Sequence, residues 1–157
     1  MNTHGLSRNE RTTSSRLTSS GQFTDLAALF GRVTLALIFL WSGYGKLVDI
    51  TGTVGYMNAY HVPLATVLVW PAALLEVIGG LMLVTGWKAR WAAIALAGFT
   101  VISALIFHNF WAVPPEQALN QTIHFMKNIA IMGGLLQVFA WGAGRYAIDR
   151  PCYEGAH

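Results

Sequence analysis

The stretch LATVLVWPAALLEVIGGLMLVT, residues 64–85, is apolar over the length of a bilayer crossing and carries one acid, Glu76, near its middle. A helix of about 20 apolar residues, rising 1.5 Å per residue, spans a hydrocarbon core of roughly 30 Å, so the run predicts a transmembrane helix. Three more runs meet the same criterion, residues 26–47, 91–111 and 123–141, and each also holds an ionisable side chain. An ion at the bilayer centre costs at least about 2.5–3.5 kcal/mol, so such groups turn inward to partners or line a cavity.

Composition points the same way. Of 157 residues, 54% are hydrophobic and only 11% charged, against about 25% charged in an ordinary soluble domain. Mean hydropathy is +0.48. A β-barrel would show alternating segments of about ten residues, whereas these runs are continuous and rich in Ala, Leu, Gly and Val. A soluble helical core would need polar cover that the short gaps do not supply. The expected fold is therefore all-α: an integral membrane bundle of four transmembrane helices, lying in the bilayer as one domain over residues 26–149. The hairpin Gly86 to Arg90 is so short that its two helices must be antiparallel neighbours.

The net charge of +3 does not form a nucleic-acid surface, because the basic residues are dispersed at the ends of the apolar runs. Arg8, Arg11 and Arg16 precede the first run, Lys88 and Arg90 separate the second from the third, and Arg145 and Arg150 follow the fourth. The other two connections hold only Lys46, at a boundary. By the positive-inside rule both termini are expected in the cytoplasm, in a multi-pass protein of a bacterial inner membrane. Residues 1–25, rich in Ser, Thr, Asn and Arg and without a signal-peptide apolar core, are expected to form a disordered cytoplasmic arm, and residues 150–157 a cytoplasmic tail. The single cysteine, Cys152, rules out an intrachain disulfide or a cysteine-ligated cluster and reads as a free thiol in that tail.

On the external side, residues 48–63 are expected to contain a short interfacial helix through Val54 to Tyr60, and Pro114 and Pro115 are expected to stop the third helix within a loop over residues 112–122. Paired glycines (Gly43 with Gly45, Gly79 with Gly80, Gly133 with Gly134) mark where helices can approach closely.

Glu76 needs a partner. Arg32 and Lys46 are about four turns apart and face the same side of the first helix. Counted from the cytoplasmic helix ends at 1.5 Å per residue, Arg32 lies at about 9 Å, Glu76 at about 15 Å and Lys127 at about 24 Å. Both cations come within reach of Glu76. Arg32 is preferred, because its guanidinium offers a planar fork and keeps its proton in apolar surroundings. The pair Arg32 and Glu76 then either fixes helix register or relays protons.

Near the external surface, Lys46, His108, His124, Lys127 and Asn128 converge from three helices, a richer set of donors than headgroup anchoring requires. With Phe39 and Trp111 as apolar walls, such a set suits a small amphipathic ligand. His108 and His124 at one depth raise haem ligation, set aside because no second motif accompanies them, and His61 as a third metal ligand sits on a loop of undefined shape. No metal site is assigned, and no nucleotide-binding or hydrolase motif occurs in its required context.

The series Gly31 and Arg32, then Gly43, Tyr44, Gly45, Lys46 and Leu47, then Leu75 to Gly80, then Gly86 with Arg90, and finally Phe125 to Asn128 resembles the DoxX family of small four-helix membrane proteins. The resemblance covers about residues 26–149. It implies kinship with the quinone-reactive membrane subunit of an archaeal thiosulfate:quinone oxidoreductase, with proteins of membrane redox and oxidative-stress complexes, and more distantly with eukaryotic surfeit-locus cargo receptors. The expected role is a non-autonomous redox-complex subunit with a quinone or similar amphipathic molecule among its helices, other membrane or redox proteins as partners, and self-association as a further option. The alternative is a small transporter, or an assembly protein without catalytic activity.

Overall fold

The computed structural model describes residues 8–149. Five helices follow in order: α1 (Arg8–Val48), α2 (Ile50–Ala59), α3 (Ala65–Thr85), α4 (Ala89–Phe107) and α5 (Pro115–Trp141), with a 3-10 turn at Phe110–Ala112 before the last. Four stretches are long and apolar enough to cross a membrane: Gly21–Val48, Ala65–Thr85, Ala89–Ala112 and Pro115–Trp141. The all-α bundle of four spanning helices is what the apolar runs predict. Helix α1 begins inside the segment expected to be a disordered arm; the rest of that arm, the tail and Cys152 lie outside the described residues.

The last helix starts earlier than its apolar run indicates. Pro115 does not end a preceding helix; it opens α5, with Glu116 in the first turn. Proline's fixed φ suits a first helical position, where its missing N–H would have no partner anyway, and an acid there faces the positive end of the helix dipole. The expected loop over residues 112–122 is thus largely the first two turns of α5. The preceding helix has already ended at Phe107, capped by His108. The interfacial helix is also longer than expected, beginning at Ile50, where the Asp49 side chain accepts from the Gly52 N–H at 2.8 Å.

The helices pack in sequence, α1 on α3, α3 on α4 and α4 on α5, and α5 returns to α1 near Leu35 and Gly134. The core is narrow and built from small residues: Ala36, Ala89, Ala92, Ala93 and Ala97 are buried with Phe39, Leu83, Leu96 and Leu135. In a bilayer the lipid is as apolar as leucine, so close backbone approach, rather than a hydrophobic drive, holds helices together. Larger apolar side chains such as Trp41, Leu74, Ile78, Trp91 and Phe139 point outward, to the lipid.

The α1/α3 contact depends on Gly43. A Cβ there would lie 2.8 Å from Val77 Cγ2, 3.0 Å from Glu76 Cβ and 3.1 Å from the Ala73 carbonyl. Gly43→Ala is expected to destabilise the bundle by about 1–3 kcal/mol through overpacking. Gly98→Ala, where nothing lies within 4 Å, is expected to be neutral or slightly stabilising. Melting of the two variants in detergent compares them directly, and equal midpoints would contradict this packing.

Where α3 turns into α4, Gly86 adopts φ 75°, and a Cβ would meet Ala147 and the Arg32 guanidinium. Here the chain after α5 crosses the end of the bundle. Ile148 N–H donates to the Thr85 carbonyl at 3.0 Å, and Lys88 N–H donates to Asp149 Oδ2 at 2.6 Å. Asp149 thereby brings a carboxylate to the N-terminus of α4, whose own cap residue supplies no side-chain acceptor.

Candidate functional site

Glu76 is 4% exposed, and its partner is Lys46, not Arg32. Lys46 Nζ donates to Glu76 Oε2 at 2.7 Å and to Ser42 Oγ at 2.7 Å, and the Ser42 hydroxyl donates to Glu76 Oε1 at 3.0 Å. The three side chains close a ring in which both carboxylate oxygens are engaged. Arg32 is equally buried but donates to backbone carbonyls: Nη1 to Ala143, and Nη2 to Tyr146 at 2.6 Å and Val84 at 3.4 Å.

The correction has a geometric cause. Arg32 lies level with Gly86 at the very end of α3, and Gly43 lies level with Glu76, so α1 overhangs the bundle at its N-terminal end. A depth counted from residue 26 therefore places Arg32 too deep. Side chains on a helix also lean toward its N-terminus. On α1 that inclines Lys46 back over Ser42 toward Glu76, and inclines Arg32 away from Glu76 toward the chain that follows α5.

The ring forms part of the wall of a cavity of about 830 Å³, within the size range of small-molecule sites. Its polar lining includes Ser42, Lys46 and Glu76 with His108, Lys127 and Asn128. Its apolar lining includes Phe39, Leu68, Leu75, Phe99, Ile106 and Ile131. Helix α2 adds Tyr56 and Met57. Tyr56 stacks on Phe107 at 5.3 Å and packs against Tyr60 at 5.0 Å. Burial, reinforced by the neighbouring Tyr60, pushes its hydroxyl up to about 12.

Of the site residues expected from sequence, Lys46, His108, Lys127 and Asn128 thus line one cavity. His124 does not line it. Its ring stacks on His108 at 5.1 Å, and Lys127 Nζ lies 3.1 Å from its Nδ1. An ammonium only donates, so His124 Nδ1 is the acceptor. His108 Nδ1 meets Gln121 Oε1 at 2.9 Å, and Asn128 Nδ2 donates to the His124 carbonyl at 3.1 Å. Phe39 reaches the cavity, whereas Trp111, 58% exposed, packs edge-on against Phe110 and Phe125. His61 is exposed in a left-handed turn, and among the described residues no three His, Cys, Asp or Glu converge as metal ligands.

Sequence reading missed Ser42, Tyr56 and Gln121. Ser42 was findable, since it lies one turn before Lys46 on the same face, where an extended lysine folds back. Gln121 was hidden by the reading of its segment as a loop.

Fold and site together define a small integral membrane protein whose four spanning helices line a cavity with both charged and apolar side chains. A model of the DoxX family matches residues 27–109, and the chain belongs to that family. It is 36% identical to Inner membrane protein YqjF of Escherichia coli (strain K12) over 126 residues, 80% of this chain and 92% of that protein. Inner membrane protein YphA of the same organism is 30% identical over 122 residues, 78% of this chain and 87% of that protein. The Surfeit locus protein 4 homolog of Schizosaccharomyces pombe is 31% identical over 78 residues, 48% of this chain but only 26% of that protein. No solved structure matches the chain significantly. With four spans and two relatives named for the inner membrane, this chain is a multi-pass protein of the bacterial inner membrane, in contact with its lipid.

Proposed function

We propose that the cavity holds an amphipathic small molecule of the quinone class, and that the protein is a non-autonomous subunit of a membrane redox complex. The observation that carries the reading is that one 830 Å³ space is lined both by apolar side chains and by Lys46, Lys127, His108 and Asn128. Those hydrogen-bond donors match carbonyl oxygens on a ring, and lining residues such as Phe39 and Phe99 match a lipophilic tail. In this reading both termini lie in the cytoplasm, so the cavity sits toward the external face, where Lys46 and His108 end their helices. The Lys46, Ser42 and Glu76 ring holds α1 to α3 and keeps a protonatable carboxylate on the cavity wall.

The test is titration of the detergent-purified protein with a short-chain benzoquinone, followed by quenching of tryptophan fluorescence. Saturable binding is expected, weakened about tenfold or more in Lys127→Met through loss of a charged donor. Absence of saturable binding, together with unchanged respiratory electron flow on deletion of the gene, would overturn the proposal. Substrate or proton flux in reconstituted vesicles that disappears in Glu76→Gln would replace it with transport. Stable co-purification with a larger complex, without flux or ligand, would replace it with assembly.

A further inference from the structure

The two ammonium groups on the cavity wall are not equivalent. Lys46, from α1, is neutralised by Glu76 at 2.7 Å. Lys127, from α5, has no carboxylate within ion-pair distance among the described residues; its hydrogen-bond partner is the neutral ring nitrogen of His124. The remaining acid on the wall, Asp49, is exposed and directs its carboxylate to the N-terminus of α2. The stacking of His124 on His108 sets Lys127 one turn inside the level at which α4 ends, below the bundle's external rim. Lys127 is exposed on the bundle rather than buried in it, but at that depth in the membrane a cation without a counter-charge is still costly, and the cost is relieved if the missing negative charge arrives with a ligand.

We infer that the occupant of the cavity carries an acidic head, an anionic oxygen that seats against Lys127 beside Asn128 and His108. This rests on the reading that the cavity binds an amphipathic guest, and it narrows the guest's chemistry. An ionised ring hydroxyl on a quinone qualifies, as does a carboxylate or phosphate on an apolar tail; a neutral head accepts a hydrogen bond from Lys127 but leaves its charge uncompensated. Asn128 has one amide hydrogen left after its bond to the His124 carbonyl, available to the same oxygen. The apolar tail lies along Phe39, Phe99 and Ile131.

The experiment compares two probes with the same tail, dodecanoate and dodecanamide, as competitors of the bound benzoquinone in the full-length protein. In the wild type the anion is expected to compete about tenfold more strongly than the amide. The ratio is expected to fall to near one in Lys127→Met and to be retained in Lys127→Arg, with unchanged helical circular dichroism in both. Rising salt weakens the anion and leaves the amide unaffected. Equal competition by the two probes in the wild type would sink the acidic head while leaving the quinone-class site standing. Failure of the benzoquinone and both probes to bind would remove the site altogether. Repeating the measurement in nanodiscs separates two sources of the anion. Loss of dodecanoate binding in phosphatidylglycerol but not in phosphatidylcholine names a lipid headgroup as the occupant, whereas equal binding in both names a free acid, and each result upholds the charge assignment.

Discussion

Alanine at position 76 is expected to cost about 3–5 kcal/mol of stability in detergent, because it strands Lys46 without its counter-charge inside the bundle. The loss exceeds that from Ser42→Ala, which removes one hydroxyl from the ring and leaves the ion pair in place. Lys46→Met is expected to be comparably harmful, since a carboxylate left 4% exposed among apolar helices has only the Ser42 hydroxyl remaining. The double variant, Glu76→Ala with Lys46→Met, is expected to recover much of the loss, because neither charge then remains to be solvated. A coupling of about 0.5–3 kcal/mol between the two positions is the signature of contact. Combining Glu76→Ala with Arg32→Leu is expected to give additive losses, as the two sites lie about 15 Å apart along the bundle. Denaturation midpoints of the six proteins decide between the pairings. Coupling of Glu76 to Arg32 and not to Lys46 would contradict the arrangement described above.

The parts of the structure legible in the sequence were those governed by the bilayer. Continuous apolar runs leave helices as the only spanning form, since every backbone polar group must be satisfied within the segment. The short hairpin at Gly86 made α3 and α4 antiparallel, whereas α4 ends at His108, inside its apolar run and before the two prolines expected to stop it. Boundaries were legible only where apolar character ends. At the start of α5, polar residues continue the helix beyond the apolar run, and Pro114 with Pro115 has two readings that composition does not separate.

The polar site was legible as a set of residues but not as a set of partners. Depth and face can be counted from a sequence, and they brought Lys46, His108, Lys127 and Asn128 to one cavity. Pairing depends on two further quantities, the stagger between helices and the lean of each side chain. The stagger is set by glycine contacts such as Gly43 on Glu76 and Gly80 on Leu40, which apolar periodicity does not reveal. The chain after α5 was invisible for a related reason: residues 142–149 have neither apolar periodicity nor length, and their position is dictated by Arg32.

Replacing Arg32 by leucine is expected to free that segment at a cost of about 2–3 kcal/mol. The guanidinium joins three carbonyls from two parts of the chain, Val84 at the end of α3 and Ala143 and Tyr146 beyond α5. Hydrogen bonds to a charged donor contribute about 1.5–3 kcal/mol each, but released carbonyls at the membrane surface regain water, so the net loss is smaller than the sum of three. Lysine restores the charge without the planar fork, and it is expected to recover only part of the loss. Hydrogen exchange gives a local reading. The Ile148 amide, bonded to the Thr85 carbonyl at 3.0 Å, is expected to exchange faster in Arg32→Leu, as is the Lys88 amide bonded to Asp149. Amides of α2, at the opposite end of the bundle, are expected to keep their protection. If all amides accelerated together, Arg32 would be supporting the whole bundle rather than clamping this segment; if none did, the clamp would carry no load. Because Glu76 is satisfied by Lys46 and Ser42, ligand binding at the cavity is expected to survive Arg32→Leu, which separates the structural cation of α1 from the cation that faces the ligand.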